Sequence, residues 1–377
     1  MSETTRLSIS IDHQQLNVIR GGACVRSFVI STALKGMGFQ EGSFRTPTGR
    51  FRIFEKIGDG EPSGTVFSAR TAVGHWMPGD RPDEDLVLTR ILRLDGLDAG
   101  NANTLERFIY IHGTNRADLL GTPSSHGCIR MDNADIVELF DMVGTGDEVE
   151  ILPATVRRGK LLFVDCDSTL TAVEGIDELA RLRGADVFEM VRALTDDAMN
   201  GLVPIHEVFP RRMEMISPDI AMCGRVGEAY IANIVPGARL LVEEAVRRGW
   251  LPVVLSGGFE PVIRPLAAHL GIGHVEAVPL SFHQDGSYAG YGSDYPTTRN
   301  LGKNEVIREW AAAMLPEKVV MIGDGVSDLE TMPDVDLFAG FGGVVARPKV
   351  MGGCDRWLTV FDSASIAAVF DDAELIS

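Results

Sequence analysis

At 377 residues the chain is longer than one hydrophobic core usually supports, so two domains are expected. Its composition, 45% hydrophobic and 23% charged, is that of an ordered globular protein and excludes a disordered or fibrous one. The 35 basic and 53 acidic residues leave a net charge of −18, and with no basic patch in either half the sequence argues against nucleic acid and anionic membranes as partners.

The opening MSETTRLSIS has no basic stretch leading into an apolar core, which argues against a secretory signal. No apolar run approaches the roughly 18 residues that a membrane helix needs. Five scattered cysteines, Cys24, Cys128, Cys166, Cys223 and Cys354, fit a reducing compartment better than a disulfide framework. A cytoplasmic protein is the expectation. Up to about Thr155 the chain reads as strands and turns. Leu7–Ile11 alternates as LSISI, Val25–Ser31 and Phe51–Phe54 follow, and Thr46–Gly49 is a turn just before the third strand. Phe108–Ile111 is a further β-prone run leading into His112. One helix is expected at Asn133–Met142, with Asp132 as its N-cap, and a last strand at Glu148–Leu152. Residues 1–155 are therefore expected to form a mostly β domain.

The chemistry of that part lies in Ser124-Ser125-His126-Gly127-Cys128-Ile129-Arg130. In extended chain His126 and Cys128 share a face, as a base and its thiol must. Gly127 lets the backbone approach a substrate, and Arg130 on the same face favours thiolate or binds a carboxylate. A zinc site of His112, His126 and Cys128 is the competing reading, though no fourth ligand stands at normal spacing. A purely structural role is the other. Thr46-Pro47-Thr48-Gly49-Arg50-Phe51, Ile111-His112-Gly113-Thr114 and Ser125-His126-Gly127-Cys128-Ile129-Arg130 together resemble the catalytic domain of the L,D-transpeptidases, over about residues 5–153. The resemblance implies Cys128 as nucleophile and His126 as its base, with His112, Ser125, Gly127 and Arg130 shaping the pocket and oxyanion site. It implies peptidoglycan stem peptides as substrates. Without an export signal, water is the expected acceptor, as in cytoplasmic L,D-carboxypeptidases.

Pro153–Gly159 reads as a linker, with the second domain expected over residues 156–377. It opens on Leu161–Val164, an apolar run suited to a strand buried on both faces, which ends in Asp165 and Asp167. Two acids so close repel each other, and the pair makes most sense around a cation such as Mg²⁺. Helical patterns at Asp177–Arg183, Asp186–Asn200, His206–Met215 and Pro218–Asn233 suggest a helical cap at about residues 176–235. A strand at Pro252–Leu255 ends in Ser256-Gly257-Gly258-Phe259, and a helix is expected at Glu260–Leu270. Phe282–Tyr291 reads as a hairpin around Asp285-Gly286. Lys303 opens a helix, Val319–Ile322 is a strand ending in Gly323-Asp324-Gly325-Val326-Ser327-Asp328, and Phe338–Phe341 and Trp357–Val360 complete the alternation. The expected fold is a doubly wound, Rossmann-like α/β sheet with a helical cap.

Strand ends thus offer Asp165 and Asp167, Ser256, then Asp324 and Asp328, with Lys303 at a helix start. A transferred phosphoryl group needs a nucleophile, donors for its oxygens and a cation, and this set supplies each. The order Asp-x-Asp-Ser-Thr, Ser-Gly-Gly-Phe, Gly-Lys, Gly-Asp-Gly-x-Ser-Asp resembles the haloacid dehalogenase superfamily. Within it Glu174-Gly175-Ile176-Asp177-Glu178-Leu179-Ala180, Ala198-Met199-Asn200-Gly201 and Phe341-Gly342-Gly343 with Arg347 are similar to the phosphoserine phosphatases. That resemblance implies Asp165 as nucleophile and Asp167 as acid and then base. It implies Mg²⁺ on Asp165, the Asp167 backbone carbonyl and Asp324, with Asp328 in support. Ser256, Gly257 and Lys303 would bind phosphate, while Glu174, Met199 and Arg212 would bind the serine part, with Arg211 as the rival of Arg212. Two alternatives stand beside this: another phosphomonoester, such as a recycled sugar phosphate, and an N-terminal part that binds muropeptides without catalysis. The sequence fixes no oligomeric state.

Overall fold

A computed structural model describes residues 5–80, 85–156, 159–199 and 205–376, with side chains at 195–199 and 205–207 left out of the description. The chain forms two compact units, one of residues 1–157 with 312–315 and one of the remainder. No helix among the described residues is long and apolar enough to cross a membrane.

The first unit is strand-rich. It runs β1 (Thr5–Ser10), β2 (Gln15–Arg20), β3 (Ala23–Ser31), β4 (Gly49–Ile57), β5 (Thr65–Ser68), β6 (Thr71–His75), β7 (Val87–Gly96), β8 (Tyr110–Gly113), β9 (Ile129–Met131), α1 (Asn133–Met142) and β10 (Glu148–Leu152). The strand order is β4-β10-β1-β2-β3-β9-β8-β7-β5-β6, and β4 also pairs with β7, so eight of the ten strands close on themselves and β5 and β6 hang on at β7. Alternation along β1, β2 and β4 puts Leu7, Ile9, Leu16, Val18, Phe51 and Ile53 inside, all fully buried. Helix α1 adds Ile136, Leu139 and Phe140 to that core. Its start is the expected one: the Asp132 carboxylate accepts the Ala134 N–H at 2.8 Å. Strands β2, β5, β6, β7 and β9 were not expected from the pattern. β7 conceals itself, because Thr89 takes φ 70° and the pairing with β8 shifts register between Leu88 and Ile91.

The second unit contains β11 (Lys160–Val164), α2 (Gly175–Arg183), α3 (Ala185–Met199), α4 (Ile205–Ile216), α5 (Ile220–Ala232), α6 (Ala238–Arg247), β12 (Trp250–Phe259), α7 (Glu260–Leu270), β13 (His274–Val278), β14 (Leu280–Phe282), β15 (Tyr288–Tyr291), α8 (Gly302–Met314), β16 (Lys318–Gly323), α9 (Val326–Leu329), β17 (Leu337–Phe341), α10 (Pro348–Gly353), β18 (Arg356–Leu358) and α11 (Ser363–Leu375). Six strands form a wholly parallel sheet in the order β13-β12-β11-β16-β17-β18, and β14 pairs with β15 as a separate hairpin. Leu161, Leu162, Phe163 and Val164 are fully buried, as a central parallel strand requires. Helices α2 to α5 lie between β11 and β12 in the chain. α6 occupies a stretch for which no element was expected, although Ala238, Leu241, Val242 and Ala245 mark a buried helical face. Because β11 and β16 are adjacent and in register, their carboxyl ends deliver residues 165 and 324 side by side.

Candidate functional sites

In the second unit, Asp165 leaves the end of β11, and its N–H still donates to the Ile322 carbonyl at 2.9 Å. Carboxylate oxygens of Asp165, Asp324 and Asp328 lie within 4.8 Å of one another, all buried. Lys303, in the first turn of α8, donates to Asp165 Oδ1 at 2.6 Å and to Asp328 Oδ1 at 2.5 Å. Arg347 Nε donates to Asp324 Oδ2 at 3.0 Å, and Thr169 Oγ1 to Asp324 Oδ1 at 3.4 Å. Burial pushes Asp324 up to about 6 and Asp328 up to about 7, with the Asp165 charge adding to both and Arg347 and Lys303 opposing. Burial works against the Lys303 ammonium, yet Asp165 and Asp328 outweigh it and raise its pKa. Three carboxylates facing so few cations form an oxygen-only set that suits a hard divalent ion.

Asp167 sits apart from that cluster's hydrogen bonds. Its Oδ2 accepts the Gly175 N–H at 3.1 Å and its Oδ1 accepts the Tyr230 hydroxyl. Burial, then the charge of Glu174, pushes it up to about 8 in spite of the Tyr230 bond. The shift favours the protonated carboxyl. Cys166 between the two acids packs into the hydrophobic core. Ser168 takes φ 54°, a left-handed conformation that suits few serines, and its hydroxyl donates to Glu174 Oε1 at 2.7 Å. Burial raises the pKa of Glu174 as well. Ser256 is buried, with its Oγ accepting the Gly258 N–H at 2.9 Å across Gly257. Strand β12 runs through that turn to Phe259, beyond the expected end at Leu255.

On α4, Arg212 is buried and Arg211 exposed, so Arg212 is no ordinary solvent-facing helix arginine. Burial lowers its pKa, and Asp177 acts in the opposite sense. The side chain of Met199 and all of Asn200 lie outside the described residues. Tyr230 stands in no motif, and Thr169 ends the Asp-x-Asp-Ser-Thr motif without a role that the sequence alone assigns to it. Nothing in a buried helical tyrosine announces that its hydroxyl will meet an aspartate 63 residues earlier.

In the first unit, the extended arrangement expected of His126 and Cys128 does not occur. Residues 126–128 form a bend, Gly127 takes φ 124°, and strand begins only at Ile129. That φ favours glycine, and it turns the His126 side chain outward, 70% exposed. His126 Nδ1 lies 3.7 Å from Asp85 Oδ2, and its ring meets Phe44 edge-on at 5.8 Å. Cys128 Sγ instead lies against β8, accepting the Tyr110 N–H at 3.4 Å and approaching the Phe108 carbonyl at 3.4 Å. The residue keeps some surface, but burial of its sulfur pushes the thiol up to about 11.

The imidazole that shares the face of Cys128 is His112. β8 and β9 are parallel, with Ile111 opposite Ile129 and His112 opposite Arg130. Ile111 and Ile129 point into the core, so Tyr110, His112 and Arg130 emerge on the other side, where Cys128 packs against the cluster that holds Tyr110. His112 Nδ1 meets the Gly113 carbonyl at 2.7 Å, which makes Nδ1 the protonated nitrogen and leaves Nε2 as an acceptor. Burial lowers its pKa, which favours the neutral imidazole. Ser125 and Gly127 serve the bend itself: Ser125 Oγ donates to the Cys128 carbonyl at 2.6 Å and accepts the Gly127 N–H at 3.2 Å. Arg130 donates to the Ser124 carbonyl at 2.6 Å and pairs with Asp85 Oδ2 at 2.9 Å. Asp85, which links Arg130 and His126, stands in no motif and gave no signal in the sequence.

Comparison with known proteins matches residues 4–151 to the L,D-transpeptidase catalytic domain and residues 162–333 to the haloacid dehalogenase-like hydrolases. The phosphoserine phosphatase of Bos taurus is 35% identical over 199 residues, 52% of this chain and 88% of that protein. The chloroplastic phosphoserine phosphatase of Arabidopsis thaliana is 30% identical over 236 residues, 60% of this chain and 79% of that one. Among solved structures, a haloacid dehalogenase family hydrolase of Salmonella enterica serovar Typhi is 20% identical, with a TM-score of 0.51 over 58% of this chain and 74% of its own, a likeness of fold.

Proposed function

Because the chain belongs over its second part to the phosphoserine phosphatases among the haloacid dehalogenase-like hydrolases, and carries an L,D-transpeptidase catalytic domain over its first, we propose that it is a cytosolic two-enzyme chain. The second unit hydrolyses O-phospho-L-serine to serine and phosphate. The first cleaves L,D-peptide bonds in peptidoglycan stem peptides through Cys128, passing the acyl group to water.

The observation that carries the phosphatase reading is the buried set of Asp165, Asp324 and Asp328 oxygens within 4.8 Å, bridged by Lys303. Mg²⁺ held by Asp165 and Asp324, with the Asp167 backbone carbonyl, and supported by Asp328, would offset negative charge on the carboxylates and the phosphoryl oxygens. Lys303 fixes Asp165 Oδ1, which leaves the other carboxylate oxygen to attack phosphorus. The new Asp165 O–P bond forms as the P–O bond to serine breaks, and Asp167 supplies the proton that the serine oxygen takes up. Once deprotonated, Asp167 takes a proton from the water that hydrolyses the aspartyl-phosphate. Ser256, Gly257 and Lys303 bind phosphate oxygens. Glu174 and Arg212 match the ammonium and carboxylate of serine in charge, a pair for which a sugar phosphate has no use. Phosphate release from L-phosphoserine with magnesium, compared with release in excess chelator and with equal concentrations of sugar phosphates, tests this. Equal rates on both substrate classes would remove the serine assignment.

For the first unit, His112 is the base we assign to Cys128, in place of His126. Its Nε2 acceptor, its burial and its place on the Cys128 face support that role. Arg130 offers a guanidinium for a substrate carboxylate. Release of D-alanine from free tetrapeptide should be lost in Cys128→Ala and His112→Ala and reduced only a few-fold in His126→Ala. Full loss in His126→Ala with activity kept in His112→Ala would reverse the assignment.

A further inference from the structure

The proton donor of the phosphatase is held by a residue that no other step uses, and the point rests on the phosphatase reading above. Asp167 Oδ1 accepts the Tyr230 hydroxyl, while Oδ2 accepts the Gly175 N–H at 3.1 Å. Tyr230 comes from the last turn of α5 and is fully buried. A side chain at Gly175 would run into its hydroxyl, so the glycine is what admits the phenol to the loop.

The loop that carries Asp167 and the end of α5 are also joined through backbone. Thr171 Oγ1 lies 3.2 Å from the carbonyls of both Tyr230 and Asn233, the Ala172 N–H donates to the Asn233 carbonyl at 2.9 Å, and the Val235 N–H donates to the Leu170 carbonyl at 3.0 Å. These bonds set the distance between helix end and loop before any side chain is considered. The phenol then spans what remains. With Oδ1 held by the phenol, the plane of the carboxyl group is set, and its other oxygen, Oδ2, is held in turn by the Gly175 N–H. That oxygen faces the Ser256–Gly258 turn, where a Cβ on Gly258 would stand 3.8 Å from it and 3.2 Å from Ser256 Oγ.

We infer that Tyr230 is a positioning residue for the phosphatase: its hydroxyl fixes the Asp167 carboxyl with Oδ2 turned toward the Ser256–Gly258 turn, so that the group serving the departing serine oxygen stands on the side of the phosphate. Tyr230 touches neither substrate nor metal in this role. It acts through Asp167, and it ties the helical segment between β11 and β12 to the acid that this segment covers in sequence.

The test is single-turnover kinetics of the full chain with magnesium on two esters. Serine must be protonated as it leaves, whereas p-nitrophenolate leaves without a proton. Tyr230→Phe keeps the ring and removes only the hydroxyl. Serine release should slow by about 30-fold, a part of the 10²–10⁴ that a general acid contributes, and nitrophenolate release by less than about 3-fold. The KM for phosphoserine should stay within about 2-fold. Gly175→Ala, which displaces the hydroxyl but keeps the phenol, should give the same selective loss and carries the test if Tyr230→Phe does not fold. Equal slowing of both esters, or no slowing of either, overturns the inference while the phosphatase assignment stands. A wild-type chain that hydrolyses neither ester overturns both.

Discussion

Around Asp165 the chain gathers groups from residues 165, 303, 324 and 328, four places brought together by adjacent parallel strands and one helix start. Around Cys128 much comes from β8, β9 and the bend between residues 125 and 128, with Asp85, Phe44 and Thr46 added from farther along the chain. The first site is defined by charges that are buried and bound to one another before substrate arrives. In the second Cys128 is a thiol whose ionisation burial opposes. The difference teaches where each reaction must find its driving force. The phosphatase has its electrostatics built in, and the cysteine site depends on a base or a bound substrate to draw off the proton.

The largest effect that could break this contrast is at Asp165. Asp165→Asn should lower the rate of phosphate release from phosphoserine by at least about 10³-fold, on the scale seen when a nucleophile is removed. A rate within tenfold of wild type, measured by phosphate assay on folded protein, would mean that the cluster is not the reaction centre. Next is Arg212→Lys. Losing the fork of a partly desolvated guanidinium should raise KM for phosphoserine by about 10–100-fold with kcat nearly kept, following roughly 1.5–3 kcal/mol for a hydrogen bond to a charged group. An unchanged KM would put the serine carboxylate elsewhere.

The cysteine half is sharpened by pH. A thiol raised to about 11 is protonated throughout the neutral range, so the thiolate fraction climbs tenfold per pH unit. Alkylation of Cys128 by iodoacetamide, followed by mass spectrometry without peptide present, should therefore rise steadily from pH 7 to pH 10 with no plateau. A plateau near pH 7 would show a thiolate already formed in the free protein. The smallest effect concerns the frame alone. Asp132→Ala removes the cap of α1 and should cost about 1 kcal/mol, seen as a lowered denaturation midpoint.

Helices α1 and α7 occupy the spans expected of them, Asn133–Met142 and Glu260–Leu270, because cap residues and apolar spacing are local signals. β7 was hidden by a register shift that breaks alternation in the middle of the strand. α6 carries a helical apolar pattern in Ala238, Leu241, Val242 and Ala245 that is local and legible in the spacing. Tyr230 and Asp85 belong to another kind. Their roles come from partners 63 and 45 residues away in the chain, Asp167 and Arg130, and no local spacing encodes such pairs.

By itself the sequence determined which chemical groups end the strands of the second unit, because hydrophobic runs that stop at carboxylates and glycines are written residue by residue. It also determined that a cysteine and two histidines lie in and before one short stretch of the first. Only the tertiary structure decided which imidazole shares a face with Cys128, since one glycine at φ 124° turns His126 outward and the pairing of β8 with β9 brings His112 in. It decided likewise that Tyr230 reaches Asp167, because that contact depends on how the end of α5 is fastened to a loop, and long-range packing leaves no trace in the spacing of neighbours.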